Sequence, residues 1–229
     1  MTSISSLYLI ATPIGNLEDI TLRALRVLKE VDWIVAEDTR QTKKLLLRYH
    51  IEKPILSFHE HTSPQKLQEI GEFLLMGKNF AYVVDAGSPA LSDPGARLVD
   101  EIIKQAGARV SIVPIPGPSA LTALLSVAGI RTERFLFLGF LPKKKGRRNI
   151  IEEIVHSPYP VVFFESPYRI IKTLQDLQGR GDFYAVVGRE LTKKFETIYR
   201  GSIAEVLEQL EKDKVKGEFT VVIKRMATM

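Results

Sequence analysis

Five short apolar runs separated by segments of helical period fill the first half of the chain, and that alternation leaves few folds open. The runs are Leu7 to Ala11, Trp33 to Glu37, Ile55 to Phe58, Tyr82 to Val84 and Arg109 to Val113. They are rich in β-branched and aromatic residues, the composition of strands buried on both faces. Between them the spacing predicts helices over Thr21 to Val31, Thr39 to Tyr49, Pro64 to Met76 and Pro94 to Ala106. Leu22, Leu25, Leu28 and Val31 share one face of the first helix, while Ser63 is placed to cap the third and Gly77 to stop it. Repeated strand, helix, strand under the right-handed crossover rule gives a parallel, doubly wound α/β sheet.

Open sheets of this kind bind ligands at the carboxyl ends of their strands. Three loops of ligand-binding composition fall there: Pro13 to Leu17, Asp85 to Gly95 and Pro114 to Ala120. Gly87 allows a ligand to approach the backbone, Pro89 and Pro94 fix φ, and Pro94 opens a helix where its missing N–H costs nothing. The stretch 85 to 93 is longer than the roughly two to six residues that usually join strand to helix. Pro116 to Ala120 leads into a helix, Ser119 to Ala128, whose free N–H groups suit a carboxylate or the edge of an adenine. A small-molecule cleft is expected. It is not one of the familiar nucleotide sites, because there is no G-x-x-x-x-G-K-[ST] and the first turn holds a single glycine, Gly15. Glu37 stands where a ribose-binding acid would, yet Glu37-Asp38 reads equally as a strand end with an N-cap at Asp38.

Pro114 to Pro118 is the densest Pro/Gly run and sets the expected boundary between an N-terminal α/β domain, 1–114, and a C-terminal mixed α/β domain, 115–229. In the second domain the pattern predicts strands Phe135 to Leu138, Val161 to Phe164, Tyr184 to Gly188, Glu196 to Arg200 and Phe219 to Lys224. Helices are predicted over Asn149 to His156, Tyr168 to Leu177 and Ile203 to Glu211. Two consecutive strands with no helix between them require antiparallel pairing. With 45% apolar residues, 229 residues suffice for two real cores.

Other classes fall away. No apolar run approaches the ~18 residues of a membrane span, and Met1 to Ser6 carry no basic n-region; a cytoplasmic protein without membrane association is expected. Without cysteine there is no disulfide, thiolate nucleophile or Cys-ligated zinc. His59-Glu60-His61 puts two imidazoles on one strand face, but nothing completes a ligand set, and no metal is expected. The net charge of +5 permits an anionic partner. Cations gather in the loop Lys143 to Arg148 and, at later strand ends, in Arg169, Arg189, Lys193 and Lys194. These form either a solvated face or an RNA contact. Phe140 and Tyr168 beside them either stack on splayed bases or belong to the core.

The motifs in order resemble the ribosomal RNA small subunit methyltransferase I family. They are Thr12 to Leu17, Glu37 to Arg40, Asp85 to Pro89 with Ser92 to Gly95, Pro116 to Ala120, Gly139 to Pro142, Glu165 to Arg169, Arg189 to Lys194, and Gly217-Glu218. The resemblance covers nearly the whole chain. It implies the tetrapyrrole methylase fold, two α/β domains with S-adenosylmethionine between them. It also implies methylation of the ribose 2′-oxygen of a cytidine in small-subunit (16S) ribosomal RNA, free or in the assembled small ribosomal subunit, by a homodimer. For the cofactor it implies Pro13, Gly87, Ser88, Pro89 and Leu91, with Ser119 and Ala120 as backbone contacts and Phe164 over the adenine. The wider fold usually carries Gly-Asp-Pro where this chain has Gly87-Ser88-Pro89, so the carboxylate is missing there. For the RNA it points to Asn16, Arg40, Lys143, Arg147, Arg148, Arg169, Arg189 and Lys193, with Arg169 or Arg189 clamping phosphates. A base facing the ribose hydroxyl could be Glu165, Glu190 or Glu37, and the sequence does not choose among them. Two rivals remain: a tetrapyrrole or other small-molecule methyltransferase of the same fold, which needs an acidic or apolar cleft, and a non-catalytic RNA-binding module.

Overall fold

A computed structural model of the chain describes residues 4–226, so the first three residues read above for an export signal lie outside it. Two units emerge, residues 1–119 and 120–229. The division falls past the Pro114–Pro118 run because that run packs back on the first sheet. The Ala11 N–H donates to the Ile115 carbonyl at 3.1 Å, and a Cβ on Gly117 would lie 3.1 Å from that of Ala11.

The first unit holds β1 (Ser5–Ile10), α1 (Leu22–Glu30), β2 (Trp33–Ala36), α2 (Thr39–Arg48), β3 (Ile55–Ser57), α3 (Pro64–Leu75), β4 (Phe80–Val83), α4 (Gly95–Ala106) and β5 (Val110–Ile115). The strands are ordered β3-β2-β4-β1-β5 and every neighbouring pair is parallel. Side chains of Thr21, Asp38 and Ser63 accept N–H groups at the starts of α1, α2 and α3. Gly77, at φ +90°, lets the chain leave α3. β4 starts at Phe80, two residues before the predicted Tyr82, since Phe80 is buried and pairs with both Leu7 and Trp33. α1 and α2 bury Val27, Leu28, Leu45 and Leu46 against one face of the sheet. α3 and α4 bury Ile70, Leu74, Leu98 and Ile102 against the other. The neighbours β1 and β4 therefore send their chains to opposite faces, and the crevice at their carboxyl ends is the switch point where such sheets take ligands.

The second unit holds α5 (Ala120–Val127), β6 (Leu136–Phe140), α6 (Arg147–His156), β7 (Val161–Glu165), α7 (Ile170–Gln178), β8 (Phe183–Arg189), β9 (Thr197–Ser202), α8 (Ile203–Glu211) and β10 (Phe219–Arg225). Its sheet, ordered β6-β7-β10-β8-β9, is mixed as predicted: β6 and β7 are parallel, and the other pairs antiparallel. α6, α7 and α8 cover one face through Ile154, Leu174 and Leu207. Because β10 runs against β7 and β8, the carboxyl ends of β6, β7 and β8 meet the amino ends of β9 and β10 at one end of the sheet. Two helix starts lie two residues from expectation. α6 begins at Arg147 rather than Asn149, because Gly146 at φ +84° turns the chain and Arg147 is drawn inward. α7 begins at Ile170, since the N–H groups of Arg169 and Ile170 both donate to the Ser166 carbonyl, leaving Tyr168 in a turn. Among the described residues no helix is long and apolar enough to cross a membrane.

Candidate active site

In the first unit the loops after β1 and β4 are clipped together. Thr12 and Gly87 exchange backbone hydrogen bonds of 2.9 and 3.0 Å, and the Thr12 hydroxyl donates to the Val84 carbonyl at 3.0 Å. The Ser88 hydroxyl donates to the Pro118 carbonyl at 3.2 Å, adding the third predicted loop. Gly87 sits at φ +85°, while a Cβ there would meet Ile14 only at 3.5 Å. The demand for glycine is thus set by the backbone conformation rather than by space. Ala90 and Ser92 also take positive φ, 67° and 71°, at a cost of order 1 kcal/mol each. Asp93 holds the loop in that shape by accepting the Gly95 N–H at 2.7 Å and the Tyr82 hydroxyl at 3.1 Å. Pro13 and Ser119 are buried, Pro89 and Ala120 half-buried, and Leu91 exposed. Asn16, exposed, caps a short turn by accepting the Glu18 N–H.

β2 and β4 are neighbours, so Glu37 and Asp85 end up side by side. The Asp38 N–H donates to Asp85 Oδ1 at 3.0 Å. Burial pushes the Glu37 carboxyl up, and the charges of Asp85 and Asp93 push it further. Burial and the charge of Asp38 likewise raise Asp85. Among the described residues no ion pair neutralises Glu37. The Asp85 backbone N–H pulls the other way without cancelling these effects, and a half-buried acid with no cationic partner has the profile of a general base rather than of a structural ion pair. Arg40 forms its ion pair with its own helix cap, Asp38, at 2.7 Å, which brings Asp38 down to about 2, and its charge also favours the ionised form of Asp85. The sequence reading gave no role to Asp85, Asp93 or Thr12. The signal for Asp85 lay in the pairing of β2 with β4 and that for Thr12 in the pairing of β1 with β4, strands far apart in the chain, whereas Asp93 acts within its own loop. His59, Glu60 and His61 form an exposed turn in which His59 Nδ1 accepts the His61 N–H.

At the strand ends of the second unit the acids are instead occupied. The Glu165 side chain is fully buried: Oε1 takes the Ser166 N–H at 2.8 Å and Arg169 Nη2 at 2.6 Å, and Oε2 takes the Thr173 hydroxyl at 2.9 Å. Arg147 Nη1 lies 3.9 Å from the same carboxylate, and its Nη2 reaches Thr173 and Asp176. Arg169 also donates to the Leu141 carbonyl and the Ser166 hydroxyl. Arg189, buried, is bound to Asp213 at 2.6 Å and to the Lys216 carbonyl at 2.9 Å. Burial alone would raise the Glu190 carboxyl, but the Lys193 ammonium at 2.9 Å and the Glu218 N–H pull it below its ordinary value. Arg147, Arg169, Arg189 and Lys193, expected at the RNA, are therefore turned onto carboxylates of their own unit. Of the cations expected there, Lys143 and Arg148 are exposed, and neither enters an ion pair among the described residues. Phe164 is half-buried, its ring flanked by Phe137 and Phe140 at 5.2 and 5.3 Å.

Residues 6–207 match the tetrapyrrole (corrin/porphyrin) methylase family. The chain is 48% identical over 218 residues to the ribosomal RNA small subunit methyltransferase I of Thermotoga maritima, covering 95% of this chain and 97% of that protein. It is 45% identical to the protein of the same name in Bacillus subtilis, covering 95% and 74%. Among solved structures, diphthine synthase superposes with a TM-score of 0.69 at 18% identity, covering 98% of this chain and 92% of the other. A cobalt precorrin-4 methyltransferase of cobalamin biosynthesis does so with 0.66 at 15%, covering 95% and 94%.

Proposed function

The chain belongs to the ribosomal RNA small subunit methyltransferase I family of tetrapyrrole methylases, and from that premise we propose that it methylates the 2′-hydroxyl of a cytidine ribose in small-subunit ribosomal RNA. The observation that carries the chemistry is the raised Glu37 carboxyl, without an ion pair among the described residues, at the crevice of the first sheet. Bound S-adenosylmethionine supplies an electrophilic methyl group on a positively charged sulfur. The clipped loops offer Pro13, Gly87, Ser88, Pro89 and Leu91 to its methionyl end, with backbone carbonyls suited to a sulfonium. Ser88 lacks the carboxylate usual at that position, and its hydroxyl donates to the Pro118 carbonyl instead. Ser119 and Ala120 present backbone groups, and Phe164 an aromatic face.

A protonated ribose hydroxyl is a weak nucleophile, so its proton needs an acceptor as the bond to carbon forms. Of the three acids, Glu37 is the one with a raised carboxyl and no ion pair; Glu165 and Glu190 are spent on arginine and lysine. The remaining task is to hold the acceptor oxygen in line with the methyl group. No step requires a metal. We place the reaction in the cytoplasm, on free RNA or on the assembled small subunit, with the enzyme as a homodimer.

An acidic crevice also suits a small-molecule methyltransferase of the same fold, and one experiment separates the two. Small subunits or their RNA incubated with enzyme and labelled cofactor should gain label at a cytidine whose 3′ linkage then resists alkaline hydrolysis. Label on a base, or on a corrin or porphyrin acceptor alone, overturns the reading. Gly87→Val, which forces a branched side chain to φ +85°, should abolish cofactor binding measured by calorimetry in protein shown to be folded.

A further inference from the structure

Three aromatic side chains stand exposed at one end of the second unit's sheet. Phe140 closes β6 and is 59% exposed, Tyr168 sits in the turn after β7 at 95%, and Phe195 precedes β9 at 66%. β6 and β9 are the two edges of that sheet. The aromatics therefore spread over four strand spacings, on the order of 19 Å. Exposed aromatic rings gathered at one place mark a surface that a partner covers.

The loops that carry these rings are held rigid. Arg169, one residue past Tyr168, is locked by Glu165, Ser166 and Leu141. The loop before Phe195 is tied by Lys193 to Glu190 and Glu218, by the Glu190 N–H to the Glu218 carbonyl, and by the Thr192 N–H to the Glu196 carboxylate. Glu190 and Thr192 hold positive φ, 49° and 66°, within it. The rings are thus presented on ordered turns, so little conformational freedom is lost when something stacks on them. The partner's chemistry is given by the rim. Lys143, Lys144, Lys145 and Lys194 are all exposed at the same sheet end, and Lys194 Nζ lies 5.7 Å from the Phe195 ring centre.

We propose that this sheet end is a stacking platform for unpaired bases of the RNA substrate, with Phe140, Tyr168 and Phe195 facing bases and the flanking lysines facing phosphates. Alternating rings and cations are what single-stranded nucleic acid requires, since every base has a π-face and every linkage a charge. A duplex, whose bases are stacked on one another, would leave the rings uncovered. The inference rests on RNA being the substrate.

Phe140 leans on Phe164, so the decisive variant is Tyr168→Leu combined with Phe195→Leu. Its affinity for small subunits, and for an unpaired RNA oligonucleotide, should fall at least about tenfold. The salt slope of binding and the cofactor affinity should stay at wild-type values, and restoring Tyr168 as Phe should recover part of the loss. A double variant that binds RNA like wild type overturns the platform while leaving the proposed reaction intact. So does a variant whose only change is its oligomeric state by sedimentation, which would make the patch a contact between copies of the chain. If the wild-type protein neither binds nor methylates RNA, the proposed reaction itself fails and the platform with it.

Discussion

At the strand ends of the first unit, Glu37 and Asp85 face burial and each other's neighbourhood of negative charge. At those of the second, Glu165 and Glu190 face arginine and lysine. The positions are topologically alike, carboxylates just past parallel or mixed strands, and both kinds stood as candidate bases in the sequence. What separates them is compensation. A fully buried carboxylate that already accepts from Arg169, Thr173 and a backbone N–H is committed to its own unit and is closed off from a substrate. A half-buried one raised by burial and by neighbouring carboxylates carries its charge at a cost, which a fold tolerates where that group has a task. Under the proposed reaction the first unit keeps its acids available for chemistry, while the second uses its charges to hold loops in place.

The hardest way to break this comparison is at Glu165. Glu165→Ala removes the carboxylate shared by Arg147 and Arg169 and leaves two guanidinium groups without it. Losing one side of a buried ion pair typically costs about 3–5 kcal/mol, and the unfolding free energy from urea titration should fall by that order. A loss below about 1 kcal/mol would mean that the network is ornamental, and Glu165 would return as a candidate base.

Glu37→Gln is the mirror experiment. Removing an uncompensated charge should leave stability unchanged or higher, while methyl transfer falls by about 100-fold or more, as expected for loss of a general base. The cofactor affinity read by calorimetry should move little. If activity survives in Glu37→Gln and disappears in Glu190→Gln, the assignment of roles between the two units is reversed.

The outline of both units was legible because periodicity and caps are local. Ser63, Gly77 and Asp38 announced their helix ends, and the apolar runs announced a parallel sheet followed by a mixed one. Strand order was not legible. Glu37 and Asp85 meet only because β4 inserts between β2 and β1, and nothing near either residue in the sequence reports that. The basic residues misled for the same reason. Lys143 to Arg148 reads as one cationic loop, but Arg147 is claimed by Glu165, Thr173 and Asp176, so the segment is two environments joined at Gly146. Phe195, missed altogether, sits in a stretch whose flanking lysines, glutamate and threonine look like ordinary surface.

The smallest effect expected is in the pH dependence of the two units, and it has opposite signs. Glu37 and Asp85 are raised, so the stability they contribute is full below the usual carboxylate range and is lost as pH rises through their raised values. Glu190 is lowered because Lys193 and the Glu218 N–H outweigh its burial, and Asp213 because the Tyr199 hydroxyl and Arg189 donate to it. Their stability is full above the usual range and is lost as pH falls through their lowered values. Hydrogen exchange followed by mass spectrometry, corrected for the intrinsic rate, reads the units separately. Moving down from pH 7, peptides of β2 and β4 should gain protection first, and below about pH 4.3 those of β8 and β10 should lose it. Solvent screens these partly exposed groups, so each change is a gentle slope rather than a step. In Glu37→Gln the gain on β2 and β4 should shrink while the acid-side loss on β8 and β10 stays. A common slope in both units would show that their carboxylates are held alike, and the contrast between a reactive and a structural set of acids would not stand.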